Sequence, residues 1–371
     1  MSTVRVVVPA GIDDPARVSG GNRYDREVCD VLRTAGWDVV ELAVEGSWPR
    51  PDAPALARLA LALDALPDGA LVLVDGLIAS AARAVLAPPS EQLRRRLRLV
   101  VLVHMVFGGD VVPERDEAAV LSVARAVVTT SGWTRRRLLE RYALPADHVH
   151  VASPGSDPAP LGDPAPHGGR LLCVGTLAPL KGQDLLLDAL ATLADRPWRC
   201  ALVGPLDRDP RFVAALTRRA TAAGIAGRVR MPGPRTGTAL QREYRDADLL
   251  VVPSRAETYG MVVPEALAAG VPVLATAVGG LPEALGRTSG GLPGLLVPPD
   301  DAAALATGLA RWLTDDGLRH RLRDAALRRR EGLPGWRRTG ECIGRVLVAV
   351  AAEPDPSGIR VASHTDGGRW A

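Results

Sequence analysis

The strongest constraint on the fold is a rhythm of short valine- and leucine-rich runs that alternate with longer amphipathic stretches. The chain opens with such a run at Val4–Val8, followed by an amphipathic stretch at Asn22–Ala35 that Gly36 ends. Continuous apolar strands separated by helices are typical of a parallel sheet with helices on both faces. The first half is therefore predicted to be an α/β domain, with further strands at Val39–Leu42, Leu71–Val74, Leu99–His104, Val127–Thr129 and His148–Val151.

A proline-rich segment divides the chain. Residues 154–166 hold five prolines among thirteen residues, which neither a helix nor a central strand accommodates. The rhythm then restarts, with strands predicted at residues 171–174, 199–203, 229–231, 249–252, 272–275 and 295–297. Because 371 residues exceed the size of a single core, we predict two Rossmann-like α/β domains that face each other across a cleft. The predicted order is an N-terminal domain at 1–153, a linker at 154–168, a C-terminal domain at 169–315, C-terminal helices at 316–352 and a flexible tail at 353–371.

The charge balance and the cysteines exclude several classes of protein. Lysine and arginine number 45 against 42 aspartates and glutamates, and the net charge of +3 is too small to indicate a nucleic-acid-binding protein. The four cysteines have no CxxC spacing, so they predict neither a disulfide framework nor a zinc site. No apolar run resembles a signal peptide or reaches the length of a membrane span. We expect a cytoplasmic protein whose arginine-rich C-terminal helices and Arg94–Arg96 are solvated, with transient contact to anionic lipid as the alternative.

One predicted strand–loop–helix segment carries two glutamates where a ligand is expected. Glu257 lies in the loop after a buried strand, and a helix is predicted to open near Gly260. The N–H groups of Gly260, Met261 and Val262 would then form a cradle for a diphosphate. Glu265, one turn inside that helix, is placed to accept hydrogen bonds from ribose hydroxyls. The alternative is that Glu265 is only a favourable helix charge and Glu257 a solvated loop carboxylate.

The only lysine among the 45 cationic residues, Lys181, lies in a second segment of this kind. The strand at 171–174 ends before Gly175, and a loop then brings Lys181 to Gly182, where a helix is predicted to open. An ammonium group there can pair with a phosphate oxygen and stabilise a departing diphosphate. A lysine on a solvated loop is the alternative, and the use of arginine at every other cationic position weighs against it.

The first half has candidate site residues of its own. Gly20 and Gly21 follow the first strand in a glycine-rich loop that lacks the GxGxxG spacing of a dinucleotide site, and a plain turn is the alternative. His104 ends a strand at the edge that would face the cleft, where it can hydrogen-bond a donor or an acceptor, although a lone histidine is also common in cores. The remaining candidates are a mobile acceptor loop at Gly108-Gly109-Asp110 and two polar contacts at Thr130 and Ser131.

Together these motifs resemble the retaining glycosyltransferases of family 4. The resemblance covers residues 1–350 and implies the GT-B architecture, in which the C-terminal Rossmann-like domain holds most of the donor. It also implies transfer of a sugar from a nucleotide diphosphate sugar to a hydroxyl acceptor, with the anomeric configuration retained. The motifs are Gly175…Lys181-Gly182, the pair Glu257 and Glu265 with seven residues between them, and the downstream stretches Ala269-Gly270-Val271-Pro272-Val273 and Gly279-Gly280-Leu281-Pro282-Glu283.

Roles for single residues follow from the same resemblance. Glu257 would contact the donor sugar, Glu265 the ribose, and Lys181 the diphosphate. The backbone of Gly260, Met261 and Val262 would also meet the phosphates, with Gly175 beside them, while His104, Gly20 and Gly21 would lie near donor and acceptor. No cofactor is implied, and no carboxylate motif demands a divalent metal.

One departure from the family pattern concerns the cationic clamp. Relatives often pair the lysine with an arginine, at positions that are Thr176 and Leu180 in this chain, and Arg255 or Arg235 are the candidates to replace it. The acceptor is left open among small molecules, glycans and lipid-linked acceptors. Two other functions also stay open: a different GT-B enzyme, such as an epimerase or phosphorylase, and a donor-binding protein without turnover.

Overall fold

The computed structural model describes residues 2–14, 19–88, 96–107 and 111–353. Twelve strands within these ranges form two parallel six-stranded sheets. The first sheet contains Thr3–Pro9 (β1), Asp38–Val44 (β2), Ala70–Asp75 (β3), Leu97–Val103 (β4), Ala126–Thr129 (β5) and Val149–Val151 (β6). The second sheet contains Arg170–Val174 (β7), Arg199–Val203 (β8), Val229–Gly233 (β9), Leu249–Val252 (β10), Val273–Thr276 (β11) and Gly294–Val297 (β12).

Helices connect the parallel strands. Those of the first half are Gly20–Thr34 (α1), Ala53–Asp64 (α2), Gly76–Ala81 (α3), Arg83–Leu86 (α4), Glu114–Val123 (α5) and Gly132–Tyr142 (α6). Those of the second half are Gln183–Ala191 (α7), Pro210–Ala222 (α8), Gly237–Arg245 (α9), Val262–Ala268 (α10), Leu281–Leu285 (α11), Ala302–Thr314 (α12), Asp316–Glu331 (α13) and Trp336–Ala352 (α14). Short 3-10 helices occur at Pro179–Lys181 and Ala226–Arg228.

The strand order within each sheet determines where a ligand can bind. The first sheet runs β2-β1-β3-β4-β5-β6 and the second β12-β11-β10-β7-β8-β9. The order therefore reverses between β1 and β3 in one sheet and between β7 and β10 in the other. Such a reversal opens a crevice beyond the carboxyl ends of the strands, where open α/β sheets hold their ligands.

Both faces of each sheet are buried, which explains the continuous apolar runs. Val6 and Val7 of β1 point into different apolar clusters, one on each face of the first sheet. In the second sheet Leu171 and Leu172 of β7 are divided in the same way. The predicted strands match the observed ones to within two residues at each end, because a strand that is buried on both faces consists almost entirely of apolar residues.

The C-terminal helices do not form one unit. Helix α13 packs on α10 in the second half, whereas α14 returns to the first half and packs on α1 and on β3, β4 and β5. Ile343 and Leu347 of α14 are fully buried there. The proline-rich segment has no helix or strand and contacts the second half through hydrogen bonds such as Gly162 N to Ala269 O at 2.8 Å.

Two predicted boundaries were wrong. Gly20 and Gly21 are not in a loop but begin α1, where Ser19 caps the helix by accepting a hydrogen bond from Asn22 N at 3.0 Å. The helix predicted to open near Gly260 begins two residues later, at Val262, because Gly260 has a left-handed φ of +86° that an α-helix excludes.

Some sequence predictions fall on residues that the structure does not describe. These are the Gly108–Asp110 loop, Arg94 and Arg95, and nearly all of the C-terminal tail, from residue 354 onwards. Among the described helices, none combines the length and the apolarity that crossing a membrane requires.

Candidate active site

Lys181 and Glu257 meet at the point where the strand order of the second sheet reverses. Lys181 follows β7 in the 3-10 helix Pro179–Lys181, and Glu257 follows β10, the neighbouring strand. The Lys181 ammonium donates a hydrogen bond to Glu257 Oε2 at 2.5 Å. The side chains are 29% and 14% exposed, so the ion pair is open to the cleft rather than part of the core.

Glycines allow the two loops to come this close. Gly182 has a φ of +68°, and a Cβ atom there would lie 2.0 Å from Pro253 O. A Cβ atom on Gly279 would lie 1.7 Å from Glu257 O, so the glycine pair at 279–280 packs directly against the backbone of the Glu257 loop. Gly175 leaves room for the Lys181 side chain, whose Cδ lies 3.8 Å from the position of a Cβ atom. Close packing of backbone requires the glycines at 182 and 279, whereas at Gly175 it is the φ of +153° that favours glycine.

Arg255 holds the lysine loop in place and is not a free cation. Its guanidinium bonds both carboxylate oxygens of Asp184, at 2.8 and 2.9 Å, and Asp300 at 2.6 Å. It also donates to Pro179 O. Bidentate pairing of this kind fixes the position of the guanidinium group. Arg255 therefore holds the loop that carries Lys181 and is a poor replacement for the missing clamp arginine.

Glu265 is bound by residues from both halves of the chain. Its Oε1 accepts a hydrogen bond from Arg23 of α1, and its Oε2 accepts one from the Tyr244 hydroxyl at 2.6 Å. Arg23 also binds Asp157 of the proline-rich segment at 2.7 Å. Burial raises the pKa of Glu265, and the Arg23 guanidinium partly offsets this. The carboxylate predicted to bind ribose is thus present in the cleft but is held by an arginine of the other domain.

His104 is the centre of a buried carboxylate cluster. Its Nε2 lies 2.7 Å from Asp25 Oδ1 and 3.2 Å from Asp75 Oδ2, and each aspartate side chain is only 2% exposed. Burial alone would lower the pKa of His104, but the two carboxylates outweigh it and raise the pKa to about 10. Burial, together with Asp75, raises the pKa of Asp25 to about 7 against the opposing effect of His104. The cluster therefore retains protons that the isolated side chains would release.

The same three residues have the chemistry of metal ligands. One ligand atom from each of Asp25, Asp75 and His104 lies within 4.8 Å of the others. Asp25 Oδ2 is buried and has no hydrogen-bond partner among the residues that the structure describes. A single proton between Asp25 and the imidazole accounts for their short hydrogen bond. The expectation that no metal is needed stays a prediction.

Thr258 joins the two domains beside His104. Its hydroxyl donates to His104 O at 2.6 Å, and its carbonyl accepts from the Ser131 hydroxyl at 2.6 Å and from Thr134 Oγ1 at 3.4 Å. Ser131, predicted as a polar contact, is fully buried in this junction. Thr130 is buried as well, and its hydroxyl has no hydrogen-bond partner in the described part of the chain.

The remaining predicted residues line the cleft between these clusters. The position of a Cβ atom on Gly20 lies 3.5 Å from Met261 Sδ, and one on Gly21 lies 3.5 Å from the His104 ring. Met261 packs against apolar clusters of both domains. Val262 begins α10 directly after Met261, and Gly260 brings this turn close to the Glu257 side chain. The structure therefore brings the predicted residues of both domains to one cleft.

A second carboxylate from the C-terminal half crosses the cleft. Glu283 of α11 accepts hydrogen bonds from Gly132 N at 3.0 Å and Trp133 N at 3.2 Å, at the N-terminus of α6. A carboxylate is favourable there because it meets unpaired N–H groups and the positive end of the helix dipole. The N-terminus of α6 is thus already occupied by an anion of the protein itself.

Several site residues were missed from the sequence. Asp75 ends a strand at its carboxyl edge, as His104 nearly does, and this position could have identified it. Arg23 and Asp25 lie within a helix, and Tyr244 lies in a different helix from its partner Glu265. Local pattern carries no signal for such pairings, because they depend on how the two domains meet.

Comparison with known proteins finds a family match in the second half of the chain. Residues 167–329 match the family model described as glycosyl transferases group 1. A D-inositol 3-phosphate glycosyltransferase from Frankia alni is 36% identical over an alignment of 247 residues, and the match covers 62% of this chain and 60% of that protein. A protein of the same description from Catenulispora acidiphila is 36% identical over an alignment of 255 residues, and the match covers 62% of this chain and 58% of the relative. The matches thus span about three fifths of the length of these curated relatives.

Solved structures confirm the predicted architecture. Sucrose-phosphate synthase from Thermosynechococcus elongatus superimposes with a TM-score of 0.76 at 23% identity, over 94% of this chain and 99% of that one. A glycosyltransferase from Rickettsia africae gives 0.74 at 18% identity, over 95% and 99% of the two chains. Anabaena HepE in complex with UDP-glucose gives 0.74 at 18% identity, over 94% and 100%. The prediction of two Rossmann-like domains in the GT-B arrangement is correct.

Proposed function

Since residues 167–329 match the glycosyl transferases group 1 model, we propose that this chain transfers a sugar from a nucleoside diphosphate sugar to a hydroxyl acceptor, with retention of the anomeric configuration. The observation that carries the proposal is the Lys181–Glu257 pair at the reversal point of the second sheet. A single cation and a single carboxylate, both reachable from the cleft, suit a ligand with a diphosphate at one end and sugar hydroxyls at the other. Anabaena HepE, which shares the fold, binds UDP-glucose.

Donor binding would exchange both partners of this ion pair. The diphosphate would take the Lys181 ammonium, and hydroxyls of the donor sugar would donate to Glu257 in place of the lysine. Negative charge on the diphosphate grows as the glycosidic bond breaks, so a cation in contact with it stabilises the transition state more than the ground state. The bonds of Arg255 to Asp184 and Pro179 O keep the lysine loop in position for this role.

The ribose would bind at Glu265 by a similar exchange. Its hydroxyls would replace Arg23 as donors to Oε1, while Tyr244 continues to orient Oε2. The diphosphate would also meet the backbone N–H groups at Gly260, Met261 and Val262.

On the opposite wall, His104 would face the donor sugar or the acceptor, beside Gly20 and Gly21. Its Nε2 is engaged by Asp25 and Asp75, so contact with substrate would use Nδ1 or the backbone. Asp25 and Asp75 thereby act as positioning residues for the imidazole.

We place the enzyme in the cytoplasm, because its four cysteines are all free thiols and three of them are buried. Contact with a membrane surface would be peripheral, and nothing in the reaction requires a cofactor.

Donor binding without turnover is the second candidate function. It is favoured by the lack of an arginine at Thr176 and Leu180 and by the engagement of Arg255 with Asp184 and Asp300. Half of the cationic clamp would then be missing. The donor would bind through its diphosphate, but its glycosidic bond would not be cleaved.

One experiment separates the two functions. The purified full-length chain is screened by calorimetry against UDP- and GDP-sugars, and each donor that binds is then assayed for nucleoside diphosphate release with a panel of hydroxyl acceptors. Release that depends on the acceptor supports the transferase. Binding without release under every acceptor supports the second function, and the absence of any nucleotide binding would contradict both.

A further inference from the structure

Thr258 connects the two residues that are expected to face the sugar from opposite domains. It follows Glu257 directly in the loop after β10, and its hydroxyl donates a hydrogen bond to the backbone carbonyl of His104 at 2.6 Å. His104 is the first residue after β4. A single hydrogen bond thus joins the Glu257 loop of the C-terminal domain to the end of a strand in the N-terminal domain.

Both ends of this hydrogen bond belong to parts of the molecule that are held firmly. The His104 ring is bound at Nε2 by two aspartates whose side chains are each 2% exposed. On the other side, Gly280 N donates to Glu257 O at 3.0 Å, and a Cβ atom on Gly280 would lie 2.2 Å from Thr258 O. Because neighbouring groups hold both backbone segments, the bond fixes the distance between them, and a displacement of about 1 Å would break it.

The other hydrogen bonds at this contact between the domains involve α6 and not His104. The Thr258 carbonyl accepts a hydrogen bond from the hydroxyl of Ser131, which caps α6, at 2.6 Å. Glu283 of α11 accepts two more from backbone N–H groups in the first turn of the same helix. Within the described ranges, the Thr258 hydroxyl makes the one hydrogen bond between the Glu257 loop and His104.

The side chain of Thr258 suits the role of fixing a distance. It is β-branched and has few rotamers, so its hydroxyl is presented in a defined direction. Valine has the same shape but no donor, and in place of Thr258 it would leave the His104 carbonyl without this hydrogen bond. Serine keeps the donor and loses only a methyl group. The two substitutions therefore separate the hydrogen bond from the shape of the side chain.

We propose that Thr258 is a positioning residue for sugar transfer, whose hydroxyl sets the spacing between Glu257 and His104 when the domains close. The donor sugar would then be held from both walls of the cleft in the orientation that the acceptor hydroxyl attacks. The nucleotide, expected at Lys181 and Glu265, would bind without this hydrogen bond. A misplacement of about 1 Å in such a site can lower a rate by about 100-fold. This inference rests on the proposed function.

The first test separates the rate of transfer from binding of the nucleotide. Thr258→Val and Thr258→Ser are compared with the wild type and with Thr217→Val, an exposed position of α8 whose hydroxyl bonds its own helix. Acceptor-dependent release of nucleoside diphosphate is followed with UDP-glucose or GDP-mannose, whichever supports turnover. Calorimetry gives the affinity for UDP and GDP.

We expect kcat to fall at least about tenfold in Thr258→Val with nucleotide affinity unchanged, because the hydrogen bond acts on the geometry of the reacting groups. Thr258→Ser should regain most of the rate, and Thr217→Val should equal the wild type. A normal kcat in Thr258→Val would overturn the proposal, as would a Thr258→Ser variant that is no faster. Parallel losses of rate, nucleotide affinity and melting temperature would also overturn it, because they would show that the residue only stabilises the fold.

A second test observes the hydrogen bond itself and needs no turnover. The backbone carbonyl of His104 is followed by NMR in protein labelled with carbon-13 at the histidine carbonyl carbons, with and without UDP, and is assigned from its absence in His104→Gln. Its chemical shift should change in Thr258→Val and stay the same in Thr258→Ser and Thr217→Val. An equal shift in the wild type and Thr258→Val would overturn the proposal.

The NMR comparison keeps this result separate from the proposed function. A wild type that binds UDP or GDP but releases no nucleoside diphosphate with any acceptor would contradict the transferase. The carbonyl signal would still decide whether the Thr258 hydroxyl holds His104 at a fixed distance from the Glu257 loop.

Discussion

Lys181 is the residue whose removal should affect turnover most. Lys181→Ala removes the cation expected to meet the leaving diphosphate, and with no clamp arginine at Thr176 we expect kcat to fall by about 100-fold or more, about 2.7 kcal/mol. Lys181→Arg should restore only part of the rate, because a planar fork does not replace a compact ammonium. Steady-state rates decide this, with the exposed neighbour Leu180→Ala as the control. Near-normal turnover in Lys181→Ala would remove the lysine from the reaction.

The protons held by His104 and Asp25 should be visible in the stability of the protein. The pKa of His104 is raised from 6.5 to about 10, so the folded chain keeps a proton that the unfolded chain releases, and stability should fall as pH rises through this window. Asp25, raised from 3.8 to about 7, acts in the same direction at lower pH. One retained proton corresponds to a slope of about 1.4 kcal/mol per pH unit.

Asp25→Asn tests this assignment. The variant should flatten the decline in unfolding free energy between pH 4 and 10, and should move the NMR titration of His104 back towards its usual pKa. Asp30→Asn removes an exposed carboxylate from the same helix and should leave both profiles unchanged. Identical slopes in wild type and Asp25→Asn would show that the cluster does not hold its protons as described.

At the level of single elements, the loop from β7 to α7 depends on one glycine. Gly182 and Gly224 have nearly the same left-handed φ, +68° and +69°, but only Gly182 is packed against another backbone segment. Gly224→Ala should cost about 1–2 kcal/mol for the backbone conformation alone. Gly182→Ala should cost at least about 1–3 kcal/mol more, because its Cβ atom would clash with Pro253 O. Urea unfolding of the two variants measures the difference in unfolding free energy. Equal losses would mean that Gly182 is not in close contact with the backbone at Pro253.

The elements also show what the sequence could and could not predict. Strands β8 and β10 were located to the residue, since a buried parallel strand is a continuous apolar run between turns. The positions of Lys181, Glu257 and His104 followed from the rule that ligands bind at carboxyl ends of strands. The pairing of Glu265 with Arg23 was not predictable, because those residues are 242 positions apart and meet only through the docking of the two domains. The early start of α1 was missed because glycine is a poor helix former that a serine cap can offset.

For the whole molecule, the contact between Arg23 and Glu265 should compete with the nucleotide. Arg23→Met frees Glu265 to accept hydrogen bonds from ribose, so we expect UDP or GDP to bind about threefold to tenfold more tightly, the equivalent of one hydrogen bond. Calorimetry with the nucleoside diphosphates measures this, with Arg33→Met on the same helix as control. Weaker binding in Arg23→Met would mean that this arginine contacts the nucleotide itself.

The return of α14 makes the stability of the first domain depend on the end of the described chain. Ile343→Ala creates a cavity against the first sheet and should cost about 2–5 kcal/mol. Hydrogen exchange should locate the loss in β3, β4 and β5 and not in β7 to β12. Val348→Ala, 58% exposed on the same helix, should change little. Faster exchange confined to the second sheet would contradict the packing described.

The chain passes between the domains twice, and the two passages touch. Ser156 N donates to Pro334 O at 2.9 Å, and Gly155 lies so close to the start of α14 that a Cβ atom would be 2.2 Å from Trp336 N. Two tethers fixed side by side work as a hinge: they permit rotation about a line through both and resist twisting and sliding. When the domains separate, the gap should therefore widen with distance from that line, and the donor would enter from the side of the cleft opposite the two crossings.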